Sequence, residues 1–263
     1  MGILKKKKKT EFFRLDKIKE LNCDYNLIFG ERSNGKTFAI LEEGISIYLQ
    51  TGRPMAIIRR WKEDIRKARL SKMFDGIIEQ RVISKLSDGL WNDIKIYNGQ
   101  VWFVKKTEDL DDAGNLKTEV LVDNQPFCDA YCLTDMEHDK GTSRPYKLIF
   151  FDEFMTRSGY LPDEFVTTMN VLSTLIRRRN DIVIYFAGNT VNKYCPYFAE
   201  MGLKHVKQMH PGDIDVYTFG QSQLQIAVQY SDSPPDGKPS DKYFAFDNPK
   251  LQMITGGAWE LAV

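Results

Sequence analysis

Tyr25-Asn26-Leu27-Ile28-Phe29-Gly30-Glu31-Arg32-Ser33-Asn34-Gly35-Lys36-Thr37-Phe38 is the stretch whose reading decides the fold. A short, largely apolar run ends at Gly30, and from Phe38 to Leu49 apolar residues recur at helical spacing. The order is strand, loop, helix. Between strand and helix lies Gly30-x-x-x-x-Gly35-Lys36-Thr37, which satisfies the phosphate-loop pattern in the context that pattern demands. Glycines let the backbone curl until its N–H groups converge on phosphate oxygens, and the helix beginning near Lys36 adds the positive end of its dipole. Gly30, Glu31, Arg32, Ser33, Asn34, Gly35, Lys36, Thr37 and Phe38 are therefore assigned to nucleotide binding. Lys36 supplies a point charge to the β- and γ-phosphates, and Thr37 offers a hydroxyl to Mg²⁺.

Working outward, Arg53-Pro54 breaks the chain, and Met55-Ala56-Ile57-Ile58 has the unbroken apolar character of a strand covered on both faces of a parallel sheet. Arg59, Arg60 and Lys62 follow at its exit. Charges alternating with Ile65, Leu70, Phe74, Ile77, Ile78 and Ile83 predict one or two amphipathic helices up to about Leu86. Ile94-Lys95-Ile96-Tyr97, Asn98-Gly99 and Val101-Trp102-Phe103-Val104 then spell an antiparallel hairpin with a type I′ turn. A further strand pair is expected around Glu119 to Val122 and Tyr131 to Leu133. Leu148-Ile149-Phe150-Phe151 is another buried strand, and a helix beginning at Pro162-Asp163-Glu164 runs to Arg177-Arg178-Arg179. Ile182 to Ala187 gives one more strand, ending in Gly188-Asn189. Short strands are expected at Val216 to Phe219 and Leu224 to Val228, before a Pro- and Ser-rich boundary at Ser231 to Gly237. Apolar strands alternating with helices imply an α/β fold with a mostly parallel sheet flanked by helices.

The acidic pair Asp152-Glu153 completes the site, because it follows a buried strand at the edge where open α/β sheets bind ligands. Asp152 is assigned to Mg²⁺, together with Thr37, and Glu153 to the general base that polarises the attacking water. Asn189 ends the next strand; it either senses the γ-phosphate or simply forms a turn after Gly188. Arg177, Arg178 and Arg179 suit a helix C-terminus through the macrodipole, and one of them is also a candidate arginine finger. Lys62 is a lesser candidate for the same role.

Composition narrows the remaining classes. A net charge of +1 gives no overall basic footprint, so any nucleic-acid contact must be local, with Arg59-Arg60 and the loop from Asp135 to Arg144 as candidates. The run Lys5 to Lys9 is either a solvated tail or a basic arm. No apolar stretch approaches the ~20 residues of a bilayer span, and no apolar segment follows the N-terminal lysines as in a secretory signal, so a soluble cytoplasmic protein is expected. Four cysteines are too few and too irregular for a disulfide framework. Cys128, Cys132 and His138 lack the fourth ligand and repeated close pair of a structural zinc site.

In order along the chain, Phe29 to Thr37 with arginine third in the loop, Ile58-Arg59-Arg60-Trp61-Lys62, Ile149-Phe150-Phe151-Asp152-Glu153-Phe154, Leu175-Ile176-Arg177-Arg178-Arg179, Gly188-Asn189 and Asn192-Lys193-Tyr194-Cys195-Pro196-Tyr197-Phe198 resemble one group. These are the DNA-packaging motor ATPases of short-tailed phages with small, protein-primed linear genomes. The resemblance implies a P-loop fold of the ASCE division, in which an extra strand separates the phosphate-loop strand from the next. It also implies ATP and Mg²⁺ as cofactors and ATP-driven movement of double-stranded DNA into a procapsid. The implied partners are that DNA, further copies in a homo-pentameric ring, and the procapsid portal with a structural RNA, but no membrane. The implied setting is the host cytoplasm, with transient attachment to the procapsid. In that family one arginine after the acidic strand's helix and a lysine after the second strand act on the neighbouring subunit, which maps to Arg177, with Arg179 as alternative, and to Lys62. Family members continue into a nuclease-like C-terminal domain. Here residues 1–230 are expected to form the ATPase domain and residues 231–263 the start of a linker. Two rivals stay open: another ring-forming translocase or phage-assembly ATPase of the same division, and a nucleotide-gated binding module.

Overall fold

The computed structural model describes residues 12–32, 34–110, 116–135, 144–156, 159–189 and 195–232. The basic run Lys5 to Lys9, Ser33, His138, Asn192 to Tyr194 and the segment beyond Asp232 lie outside them. The elements in chain order are α1 (Asp16–Lys19), β1 (Tyr25–Gly30), α2 (Lys36–Thr51), β2 (Met55–Arg59), α3 (Lys67–Glu79) and α4 (Val82–Leu86). Then come β3 (Asp93–Tyr97), β4 (Gln100–Leu110), β5 (Leu116–Val122), β6 (Cys128–Cys132), β7 (Leu148–Asp152) and α5 (Glu164–Ile176). Last are β8 (Val183–Asn189), α6 (Pro196–Glu200), β9 (Ile214–Phe219) and β10 (Leu224–Tyr230).

All the strands join one sheet in the order β3-β4-β6-β2-β7-β8-β1-β10-β9, with β5 paired to β4. From β6 to β10 the pairing is parallel, and β9 returns antiparallel at the edge. The phosphate-loop strand β1 is thus separated from the acidic strand β7 by β8, the extra strand that defines the ASCE arrangement.

The apolar runs are continuous because both faces of the central strands are covered. In β1, Ile28 turns toward α2, α3 and α4, where Ile40, Leu41, Phe74 and Ile77 pack, whereas Leu27 and Phe29 face α5 and α6 with Leu172, Leu175 and Phe198. The hairpin β3–β4 turns through Asn98 and Gly99 at φ 48° and 72°, the left-handed pair that a type I′ turn requires. One expected pairing differs. The strands near Glu119 and Tyr131 both form, yet β5 pairs only with β4, while β6 pairs with β2 and β4. Cys128 and Cys132 turn out to be buried, because β6 is an inner strand. Among the described residues no helix is long and apolar enough to cross a membrane.

Candidate nucleotide site

The C-terminal ends of β1, β8, β7 and β2 lie side by side, and the candidate residues gather there. Gly30 is level with Asn189, and Ile58 with Phe151, so that Arg59 comes abreast of Asp152. The loop from Gly30 then enters α2 through Gly35 at φ 94°, a left-handed conformation that a side chain would strain.

Lys36 is buried, and its ammonium donates to the carbonyl of Glu31 at 2.6 Å, to Asn34 Oδ1 at 3.0 Å and to the Gly30 carbonyl at 3.4 Å. Burial pulls its pKa down to about 7, against the opposing pull of Asp152 and Glu31. An ammonium held among loop carbonyls at that desolvation cost is one that an anion would stabilise. Asn34 is buried as well, and its amide donates to the Ser231 hydroxyl at 3.1 Å, so the exit of β10 braces the loop. Arg32 is exposed, and Glu31, Thr37 and Phe38 are half-buried around the loop.

Thr37 Oγ1 donates to Asp152 Oδ1 at 3.1 Å, which brings the two proposed metal ligands together. A hydroxyl and one carboxylate beside a phosphate-binding loop fit Mg²⁺, which keeps several waters and takes further oxygens from the substrate. Burial pushes the Asp152 carboxyl up, and the Arg59 guanidinium pulls it back. Arg59 spans the acidic pair, with one nitrogen on Asp152 Oδ2 and the other 2.9 Å from Glu153 Oε2.

Glu153 sits at φ 58°, and a non-glycine residue in this region costs about 1–2 kcal/mol. What holds it there is Arg60. This guanidinium is buried and donates to the backbone carbonyls of Glu153 and Phe154, both at 3.0 Å, while forming a two-pronged ion pair with Glu164 at 2.7 and 2.8 Å. It also lies over the rings of Tyr160 and Phe151, 5.4 and 5.8 Å from their centroids. Glu164 further accepts from the Leu161 N–H and the Tyr197 hydroxyl, each at 2.8 Å. The turn also presses on β8, where a Cβ on Gly188 would come within 2.9 Å of the Met155 side chain and 3.0 Å of the Phe154 ring. Glycine is needed there for close approach.

Two expectations for the arginines after β2 change accordingly. Arg60 is a buried support for the acidic turn and cannot grip DNA, and Arg59 is engaged with the acidic pair. Their signal lay in register: a cation ending a buried strand next to β7 must land beside Asp152 once the strand order is known.

Lys62 lies farther out at the same edge, exposed and paired with Asp135 at 2.6 Å. Arg177 and Arg179 are elsewhere. Helix α5 begins at the carboxyl edge, where Glu164 meets Arg60, and ends at the edge where the strands start. There Arg179 donates to the carbonyls of Leu175 at 2.6 Å and Arg144 at 2.9 Å, and Asp181 pairs with Arg53 and Lys147. Arg177 is exposed at the end of α5, at φ 39°. A five-residue strand such as β7 is roughly 16 Å long, beyond an arginine's reach, so Arg177 does not serve its own chain's loop.

Comparison with known proteins bears on the fold and the family. The DNA packaging protein of Bacillus phage B103 is 23% identical over 182 residues, 68% of this chain and 48% of that protein. The DNA packaging protein of Bacillus phage phi29 is 22% identical over 194 residues, 72% of this chain and 50% of that protein. The chain therefore spans about half the length of the curated relatives it matches. Among solved structures, the N-terminal domain of the DNA packaging ATPase from bacteriophage phi29 superposes with a TM-score of 0.62 at 19% identity, covering 84% of this chain and 97% of that one. The Phi-28 gp11 DNA packaging motor gives 0.65 at 17% identity, covering 96% and 69%. Residues 7–210, most of the chain, match the family described as Podovirus DNA encapsidation protein (Gp16), and the chain belongs to that family.

Proposed function

We propose that this chain is the ATPase unit of a DNA-packaging motor, which binds ATP with Mg²⁺, hydrolyses it and drives double-stranded viral DNA into a procapsid. The observation that carries this reading is the meeting, at one sheet edge, of the buried Lys36, the Thr37–Asp152 pair and Glu153 in its strained turn. Lys36 and the loop N–H groups hold the phosphates. Thr37 and Asp152 would hold Mg²⁺, which would supply positive charge to offset that of the phosphates. Glu153 takes a proton from the attacking water, and its half-exposed carboxylate is steadied by Arg59. Asn189 reports on the γ-phosphate, a role supported by its register with Gly30.

Residues 1–230 make up this unit, and residues 231–263 begin a linker. The motor is a homo-pentameric ring on the portal of the procapsid, with a structural RNA as a further partner, assembled in the host cytoplasm. Arg177 acts on the nucleotide of the neighbouring subunit; its exposure at the strand-start edge, away from its own loop, supports that role. Arg179, tied to two carbonyls, has the weaker claim. Lys62, exposed beside the acidic edge, assists across the same interface.

The test is a pair of variants. Lys36→Ala should abolish ATP binding, and Glu153→Gln should bind ATP normally yet fail to hydrolyse it or to package DNA in a procapsid assay. Equal loss of nucleotide affinity in both would remove Glu153 from the role of base. ATP binding without turnover, in the presence of procapsids and DNA, would make the chain a nucleotide-gated binding module instead.

A further inference from the structure

A cavity of about 910 Å³ opens beside the phosphate loop, between the segment before α1 and the helices α2, α3 and α4. Phe12, Gly35, Lys36, Phe38, Gly76 and Gln80 are among the residues lining it. Its volume lies within the range of small-ligand sites.

The strap from Phe12 to Leu15 forms one wall, and it is fixed to the loop. The Phe13 N–H donates to the Asn34 carbonyl at 2.8 Å, and the side chains of Phe13 and Leu15 are buried. Phe12 is left outward, 47% exposed, and its ring leans on the loop's exit: a Cβ on Gly35 would lie 3.6 Å from Phe12 Cδ1. On the facing wall, Phe38 packs against Gly76, where a Cβ would come 3.4 Å from the Phe38 ring. An exposed phenylalanine clamped one residue before the phosphate-binding lysine is costly to leave in water. A triphosphate held by the loop carries its nucleoside outward from Lys36, and this cavity adjoins that point.

We propose that Phe12 is the stacking platform for the base of the bound nucleotide, with Phe38 as the opposite apolar wall. The inference rests on the nucleotide reading above and adds the subsite that distinguishes a nucleoside triphosphate from triphosphate alone. An aromatic face accepts any base, so the platform contributes affinity for ATP and GTP alike.

The experiment is calorimetric titration of the full chain, and of its Phe12→Ala and Phe12→Trp variants, with ATP, GTP and inorganic tripolyphosphate in the presence of Mg²⁺. Phe12→Ala should weaken both nucleotides by about five- to hundredfold and leave tripolyphosphate unchanged. Phe12→Trp should keep nucleotide affinity and show fluorescence quenching, beyond that of the parent protein, with ATP but not with tripolyphosphate. Equal losses for all three ligands would mean that Phe12 only props the loop, and no loss for any would also overturn the platform. If the parent binds ATP no more tightly than tripolyphosphate, the base subsite falls while the phosphate site stands. If it binds neither, the nucleotide reading itself falls.

Discussion

Replacing Glu164 by alanine should unfold the protein far more readily than its distance from the phosphates suggests. Both side chains of the Arg60–Glu164 pair are almost sealed from water, 4% and 1% exposed, and breaking such a pair by deleting one partner costs about 3–5 kcal/mol. For a chain of this size that corresponds to a fall in Tm of roughly 6–20 °C. The loss is larger than the pair alone, since the Leu161 N–H loses its acceptor too and the Tyr197 hydroxyl keeps only Thr168. Removing both charges with Arg60→Met and Glu164→Leu restores only part of the stability. The carbonyls of Glu153 and Phe154 then lack their donor, at about 1–3 kcal/mol for each group left unsatisfied. Urea unfolding followed by circular dichroism gives the energies. ATP turnover against nucleotide affinity gives the functional consequence: Arg60→Met should lower turnover much more than binding, because it releases the turn that carries Glu153 and leaves Lys36 in place. A cost below about 1 kcal/mol for Glu164→Ala would refute the reasoning, as would an Arg60→Met protein that melts early yet hydrolyses ATP at the parental rate.

Gly188→Ala drives a methyl into Met155 and Phe154 and should destabilise by about 1–3 kcal/mol while slowing hydrolysis, both readable from a thermal melt and a phosphate-release assay. Arg177→Ala should leave ATP binding unchanged but stop turnover in the assembled motor. Mixing it with Glu153→Gln subunits should restore some activity, and a failure of every mixing ratio although mixed assemblies form would leave the arginine only a role at the end of α5. Arg179→Ala should instead lower the melting temperature, since its two carbonyl contacts close the end of α5. Asp181 is held well below the usual carboxylate range, first by its hydrogen bond to Arg53 and then by Lys147. Its folded pKa is depressed, so its stabilisation is present above pH ~4 and is lost as pH falls. The group is half-exposed and screened, so Asp181→Asn should cost under about 1 kcal/mol at pH 7, with the difference from the parent shrinking steadily in melts taken below pH ~4.

The strands were legible because burial on both faces leaves an unmistakable mark. Met55 to Ile58, Leu148 to Phe151 and Val183 to Ala187 have no polar residue to spare, and each proved to be an inner strand. Asn98-Gly99 announced its hairpin because few residue pairs tolerate two left-handed conformations in succession. Which strand pairs with which is another matter. The partner of β5 is decided by the length of β4, whose Val104 to Leu110 stretch continues past its short pairing with β6 at Gln100 and Val101 and offers a free ladder on that side. Nothing in the composition of Leu116 to Val122 records that.

The site divides along the same line. Gly30 to Thr37 and Asp152-Glu153 are local patterns, in which neighbours in sequence do the chemistry together, and so they can be read from the sequence alone. Arg59, Arg60, Glu164, Ser231 and Phe12 act on those residues from elsewhere in the chain, and each is placed by the sheet order. With β2 beside β7, the residue after Ile58 must stand against Asp152, and the next arginine must turn inward to the start of α5. With β10 beside β1, Ser231 must follow Phe29 onto the loop, where its N–H meets the Phe29 carbonyl at 2.8 Å. Arg59-Arg60 looked like a surface charge pair because a sequence shows charge and not register. Once the order of four parallel strands is fixed, one arginine lies against the acidic carboxylates and the other against the backbone beneath them.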